Sequence, residues 1–305
     1  MRAVEANWYR DFLYNLGNTK SRYDKAISQT TSGKKLNHLS DNPSDMSYVL
    51  SLRSKIGQIE QFNTNIDSGK LWLSSGESAL NQVQNLMTSA ITMASQGASD
   101  SSDAQSRTIL ADRLDDLRDE LMNYANTEVM GRFIFAGSNT DTAPFVKAAD
   151  TILPSGAVAP GVITYTGNND SVSIQADFTI TVATNVPGNE VFTGPVDIFD
   201  RLSLLIQGLR ENNTTNIGTQ MGQLNESVNQ ISDALGTIGD RNAHLTQIKG
   251  LLKNFKTSLT DKMSSLEDAN MAEAISNLAK EEVGLQATLQ AGSRINNVSL
   301  MNYLS

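Results

Sequence analysis

Apolar residues along this chain recur every three or four positions over long stretches, the interval of helices that bury one narrow seam. Tyr9, Leu13, Leu16, Lys20, Tyr23, Ile27 and Thr30 form the first such stripe, with a single polar interruption. After a polar loop, TTSGKKLNHLSDNPSD, it resumes at Val49, Leu52, Ile56, Ile59, Asn63, Ile66, Lys70, Leu73, Glu77, Leu80, Gln84, Met87, Ile91 and Ala94. A step held that long predicts a helix of about 70 Å at 1.5 Å per residue, longer than compact domains usually contain. GASDSSDAQS at 97–106 predicts a turn. Leu110, Leu114, Leu117, Leu121 and Tyr124 then predict a third helix running back.

The pattern changes near residue 132. Gly131-Arg-Phe-Ile-Phe-Ala-Gly137 is a short apolar run between glycines and reads as a strand. Val162-Ile-Thr-Tyr-Thr and Ser171-Val-Ser-Ile flank Gly167-Asn-Asn-Asp170, a hairpin signal, and Phe178-Thr-Ile-Thr-Val-Ala alternates with period two. Five of the six prolines, Pro144, Pro154, Pro160, Pro187 and Pro195, lie in this stretch. Helical periodicity returns with Ile217, Met221, Leu224, Val228, Ile231, Leu235 and Ile238. It slips in phase after Gly239 and continues through Leu245, Ile248, Leu252, Phe255, Leu259, Met263 and Leu266 to Met271, Ile275, Leu278, Leu285 and Leu289.

Helices with so narrow an apolar seam cannot bury it alone. The predicted fold is mainly α with an inserted small β domain, the N- and C-terminal segments forming a long antiparallel coiled-coil-like bundle. The boundaries read from the pattern are an assembly segment at 1–45, a helical rod at 46–137, the β insert at 138–200, the returning rod at 201–264 and a second assembly segment at 265–305. Gly17, Gly284, Gly292, Asn296 and Asn297 weaken the two end helices by up to ~1 kcal/mol each. Both assembly segments are therefore expected to be disordered in the monomer and to order on assembly.

Composition narrows the function. The absence of cysteine removes disulfides, thiolate chemistry and Cys-based zinc sites. The formal charge of −9 is uneven: residues 138–200 carry seven acidic side chains and one basic, the first forty residues seven basic and three acidic. An acidic chain is a poor partner for nucleic acid. No apolar run reaches the roughly 20 residues that cross a bilayer, and the N-terminus lacks the features of a cleaved leader.

Chemistry is sparse. His38 and His244 have no partner at metal-ligand spacing. Ser32-Gly33-Lys34 fails the phosphate-loop pattern. Asp41-Asn-Pro-Ser-Asp45 lacks the later glycine and glutamate of a calcium loop and reads instead as a turn and helix start, with Asp45 set against the helix dipole. Asp112, Asp115, Asp116, Asp119 and Glu120, interleaved with Arg113 and Arg118, read as a solvated, partly salt-bridged face. The expectation is a non-enzymatic structural subunit without metal or cofactor.

Several segments carry a resemblance. Ser32-Gly-Lys-Lys-Leu-Asn37 followed by Ser40-Asp-Asn-Pro-Ser44 is similar to the loop shared by bacterial flagellins and flagellar hook-associated proteins, and Pro43 resembles the hook-associated branch, since flagellins usually carry Asp-Asp-Ala-Ala there. Trp72-Leu-Ser-Ser-Gly-Glu-Ser-Ala-Leu80, Ala125-Asn-Thr-Glu-Val-Met-Gly-Arg-Phe-Ile-Phe-Ala-Gly137 and Ser299-Leu-Met-Asn-Tyr-Leu304 resemble other stretches of the same proteins. Thr30-Thr31-Ser32 departs from the more usual Leu-Ser-Thr.

The resemblance implies a secreted subunit of the bacterial flagellum, exported unfolded through the type III apparatus and held beforehand by an export chaperone. At the hook–filament junction it would meet hook-associated protein 1, flagellin and copies of itself, with its β domain outward. Assembly would rest on the seams Leu13, Leu16, Tyr23 and Ile27 with Leu278, Leu285 and Leu289, on the loop at Gly33 and Asn37, and on Leu300, Tyr303 and Leu304 of the tail. The competing expectations are a flagellin filament subunit and, in a different class, an adhesin-like surface protein acting through the β insert.

Overall fold

The structure, a computed structural model, describes the backbone of residues 2–152 and 158–304 and the side chains of 7–152 and 158–294. Three helices come first: α1 (Arg2–Ser32), α2 (Pro43–Ala98) and α3 (Ala104–Ala125). Eight short strands follow: β1 (Glu128–Val129), β2 (Arg132–Phe133), β3 (Phe145–Lys147), β4 (Thr151–Ile152), β5 (Val158–Ala159), β6 (Ile163–Tyr165), β7 (Ser173–Gln175) and β8 (Thr181–Ala183). Four helices close the chain: α4 (Gly188–Phe192), α5 (Ile198–Arg210), α6 (Thr214–Glu267) and α7 (Met271–Leu304). It is the mainly helical architecture with a small inserted β region that the periodicity predicts. Two compact units arise, one from residues 1–58 with 254–305, the other from 59–253.

In the second unit, α2 buries Ile59, Phe62, Ile66, Leu73, Leu80, Val83, Met87, Ala90 and Ala94. Alternate members of the predicted stripe are therefore one residue late. Phe62, Gly69, Gly76, Val83 and Ala90 face inward, in place of Asn63, Lys70, Glu77, Gln84 and Ile91. A step of three then four replaces four then three. Gly69 sits where another element comes close, since a Cβ there would lie 2.6 Å from Ile174; at Gly76 a Cβ would stand in ordinary contact with Ile238, at 3.5 Å.

α6 presents Ile217, Leu224, Ile231, Ile238, Leu245 and Leu252, an unbroken seven-residue repeat, so the expected slip after Gly239 does not occur. Between them Gln220 and Ser227 are buried rather than Met221 and Val228. α2 and α6 run antiparallel, with Lys70 Nζ donating to Thr246 Oγ1 at 2.8 Å and Gln84 to Ser232 at 3.1 Å.

The β region departs more from expectation. Residues 162–166 and 171–174 do not pair with each other. β6 pairs antiparallel with β3, and β7 with β8. β3–β6 and β4–β5 share one register, Phe145↔Tyr165 through Ile152↔Val158, so that 145–152 and 158–165 are the two arms of one ladder, interrupted beside Pro160, which has no N–H to donate. Of the glycine-bracketed run only Arg132–Phe133 is strand. Gly131 and Gly137, at φ 78° and 71°, turn the chain so that Ile134, Phe135 and Ala136 point inward.

Phe135, Phe145, Phe192 and Phe199 form the aromatic centre that fastens this region to α4 and α5, with ring centroids 5.2–5.3 Å apart for the 135–192, 145–192 and 145–199 pairs. Arg118 is another departure. It was expected on a solvated face, yet it is fully buried in α3, with Nη1 donating to Ser203 Oγ at 2.7 Å and Nη2 3.2 Å from Asp115.

Candidate functional site

The first unit contains both ends of the chain, 1–58 and 254–305. α1 and α7 pair antiparallel. Thr30 Oγ1 lies 3.4 Å from the Ala274 carbonyl and Arg22 pairs with Glu281 at 3.1 Å. Further along, a Cβ on Gly284 would meet Thr19 at 3.9 Å and one on Gly292 would meet Phe12 at 2.3 Å. Gly292 thus admits an aromatic ring rather than merely weakening the helix. The packed stripes are Phe12, Leu16, Thr19, Tyr23, Ala26 and Thr30 on α1 and Ala274, Leu278, Glu281, Leu285, Thr288 and Gly292 on α7.

The residues expected at an assembly interface divide into two sets. Leu16, Tyr23, Leu278 and Leu285 are half-buried in the intramolecular seam. Leu13, Ile27 and Leu289 are exposed, at 47%, 37% and 52%, together with Ile275 at 55%. Each exposed residue follows a seam residue by one position: Leu13 after Phe12, Ile27 after Ala26, Ile275 after Ala274, Leu289 after Thr288. One residue is a turn of about 100°. In two antiparallel helices that turn swings to the same side of the pair. Leu13 then stands level with Leu289, and Ile27 with Ile275, while Lys20 and Glu282 share the level between them. The result is one apolar flank with a charged pair of positions at its middle. Of the expected residues, Leu300, Tyr303 and Leu304 lie outside the described side chains.

The loop between α1 and α2 is tied to the α6–α7 junction. Gly33 adopts φ +69°, which a side chain would strain. Its carbonyl accepts from the Ala269 amide at 2.9 Å, and the Lys35 amide donates to the Glu267 carbonyl at 2.8 Å. The Glu267 side chain, 2% exposed, receives both Lys34 and Arg53. Leu36 closes over Met46, Val49, Met263 and Leu266. Asn37 donates from its side chain to the Lys34 carbonyl at 3.0 Å. The Asn42 side chain accepts from the Asp45 amide at 3.2 Å and so caps α2.

Asp41 is the polar centre of this loop. It accepts from the Asn37 and His38 amides at 3.0 Å each and pairs with Lys25 at 2.8 Å. The hydrogen bond from Lys25, with those from the two amides, lowers its pKa from 3.8 to about 2, although its burial works the other way. A carboxylate whose folded pKa is depressed stabilises the fold above its unfolded pKa. That stability is lost as pH falls through the folded value. Hydrogen exchange at the Asn37 and His38 amides is therefore expected to be protected above pH 3.8 and to lose that protection towards pH 2. Asp41→Asn should remove the pH dependence.

Periodicity did not find Thr19, Ala26, Glu267, Arg53 or the Lys25–Asp41 pair. Lys20, the polar interruption in the first stripe, was the one signal that an outer flank existed. In the second unit, a cavity of about 430 Å³ opens between α4 and α6. Glu190, Glu226 and Asp233 line it without a lysine, arginine, histidine or cysteine among them, and Gln230 there is occupied with the Val191 and Val196 carbonyls.

Residues 8–140 match the bacterial flagellin N-terminal helical region, and residues 221–304 the bacterial flagellin C-terminal helical region. The chain belongs to the flagellin-like family of structural proteins of the bacterial flagellum. It is similar to flagellar hook-associated protein 3 of Escherichia coli K12, 24% identical over 98% of each chain. Against flagellin B of Helicobacter pylori, at 23% identity, it spans 89% of itself but 55% of the flagellin. Among solved structures, hook-associated protein 3 from Legionella pneumophila (15% identity, TM-score 0.62) covers 72% of this chain with 98% of its own, and FlgL from Xanthomonas campestris (16%, 0.60) covers 68% with 98%. These structural likenesses establish a shared fold.

Proposed function

We propose that this chain is the subunit of the hook–filament junction, set between hook-associated protein 1 and flagellin in a ring of its own copies, and that it acts by contact rather than by catalysis. The observation that carries this reading is the exposed apolar flank of the α1–α7 pair. Leu13, Ile27, Ile275 and Leu289 stand in water on one side of two helices whose seam is already filled. Isolated aliphatic side chains in water are ordinary, but a row of them at matched levels marks a surface that another chain covers.

The near-complete span of hook-associated protein 3, against about half of a flagellin, supports the junction rather than the filament. Before assembly the ends, 1–45 and 265–305, open from one another, and an export chaperone covers the C-terminal one while the chain awaits secretion. On assembly they order against neighbouring ends. The Gly33–Asn37 loop fixes the entry to α2, and the tail residues Leu300, Tyr303 and Leu304 take part in assembly.

Leu13→Asp combined with Ile275→Asp tests the reading. Neither residue is buried, so circular dichroism and solubility of the double variant should match the parent. Cells carrying it should lose swimming and shed flagellin into the medium. Normal swimming with the variant present at the junction would overturn the proposal.

A further inference from the structure

Glycine occupies two kinds of helical position in the second unit. In α2, Gly69 and Gly97 stand where a side chain has no room: a Cβ would lie 2.6 Å from Ile174 at the first and 2.3 Å from Leu209 at the second. In α6 the situation is reversed. Gly218, Gly222, Gly236, Gly239 and Gly250 are all exposed, and a Cβ on any of them would meet nothing within 4 Å. Nor does the backbone need them, since the glycines with positive φ are Gly33, Gly131 and Gly137. Neither space nor conformation explains their identity.

Their placement is regular. With Ile217 as the first place of the seven-residue repeat, all five glycines fall on its second and sixth places, the side turned away from the seam. Those places otherwise hold Asn225, Asn229, Ser232 and Thr246, all weaker helix formers, with Ala243 and Lys253 as the strong formers among them. A glycine lowers the helical equilibrium at its site about fivefold relative to alanine. α6 is thus a helix by virtue of Ile217, Leu224, Ile231, Ile238 and Leu245 on its inner side, while its own backbone works against it.

We propose that these five glycines are a built-in weakness, by which the folded subunit is opened from α6 so that it can be drawn out as an extended chain. The proposal rests on the function proposed above, together with the unfolded export that the resemblance implies. A folded body pulled from one end yields through its least stable cooperative segment. Weakness placed on the outer side costs no packing in the finished fold.

The test replaces all five glycines by alanine in the full-length protein. The melting temperature should rise by about 10 °C. Deuterium uptake across 214–253 should slow at least tenfold, while uptake across α2 between 59 and 98 changes little. In cells, the amount of variant reaching the medium should fall several-fold. An unchanged or lower melting temperature would overturn the proposal, and so would a raised one with normal secretion. Normal secretion with failed incorporation would also overturn it, and would make the strip a contact surface instead. If the parent protein itself never leaves the cell, the proposed function fails, while melting and exchange still judge the weakness of α6.

Discussion

Phe192→Ala is expected to destabilise the unit spanning 59–253 by about 3–5 kcal/mol, the range for emptying an aromatic site in a packed core. Phe192 is fully buried. Its ring meets Phe135 edge-on at 5.3 Å and Phe145 at 5.2 Å, and stacks near Phe199 at 6.0 Å. Those three neighbours come from the segment after β2, from β3 and from α5, so the void would touch all of them. Each is held elsewhere, Phe145 by hydrogen bonds between its backbone and the Asn126 side chain at 2.9 Å, and none can collapse inward freely. Urea unfolding should show the lower midpoint without a change in slope. Phe192→Leu, which keeps most of the volume, should recover more than half of the loss. A loss under about 1 kcal/mol for Phe192→Ala would mean that the cluster does not anchor the β region.

Arg118→Ala should be nearly as severe, at about 3–5 kcal/mol, for a different reason. The guanidinium is 0% exposed, and burial pulls its pKa below the ordinary value while Asp115 and Asp119 oppose that pull. Removing it strands the inner oxygen of Asp115, which makes no hydrogen bond, and leaves Ser203 without its donor. Arg118→Met fills the space without the charge. Asp115 retains Arg210 at 3.4 Å and is partly open to water, so the methionine variant should lose much less than the alanine variant. Equal losses for the two would show that packing alone, not charge, holds the site. Thermal melting of both variants beside the parent would decide it.

The two sites also differ in how far the sequence reveals them. The aromatic cluster sits in a stretch whose composition marked it as apolar and turn-rich, though not which strands would pair. Strand pairing is non-local: 163–165 pairs back to 145–147 and 173–175 pairs on to 181–183, so the hairpin signal at Gly167-Asn-Asn-Asp170 joins strands that do not pair with each other. Arg118 was invisible. An arginine among five carboxylates reads as surface unless one knows that α5 lies across it.

Helical seams were legible to within one residue. A three–four step can be entered at either of two neighbouring positions; Phe62 and Val83 are the apolar members of their pairs with Asn63 and Gln84, and the close approach at Gly69 agrees with that entry. At the ends of the chain, periodicity merged two surfaces into one stripe. Leu16 and Leu13 belong to it equally by spacing, yet one fills the seam and the other faces water. The partner helix draws that line.

The ties between the α1–α2 loop and the α6–α7 junction carry a consequence for timing. Gly33 and Lys35 bond to Ala269 and Glu267, partners more than two hundred positions later in the chain. A polypeptide delivered first residue first presents this loop long before its counterpart has emerged. α1 likewise waits for α7, the last helix to arrive. In such a delivery the leading end would stay unfinished until α7 emerged, and the exposed flank, which needs both helices side by side, would take shape only then.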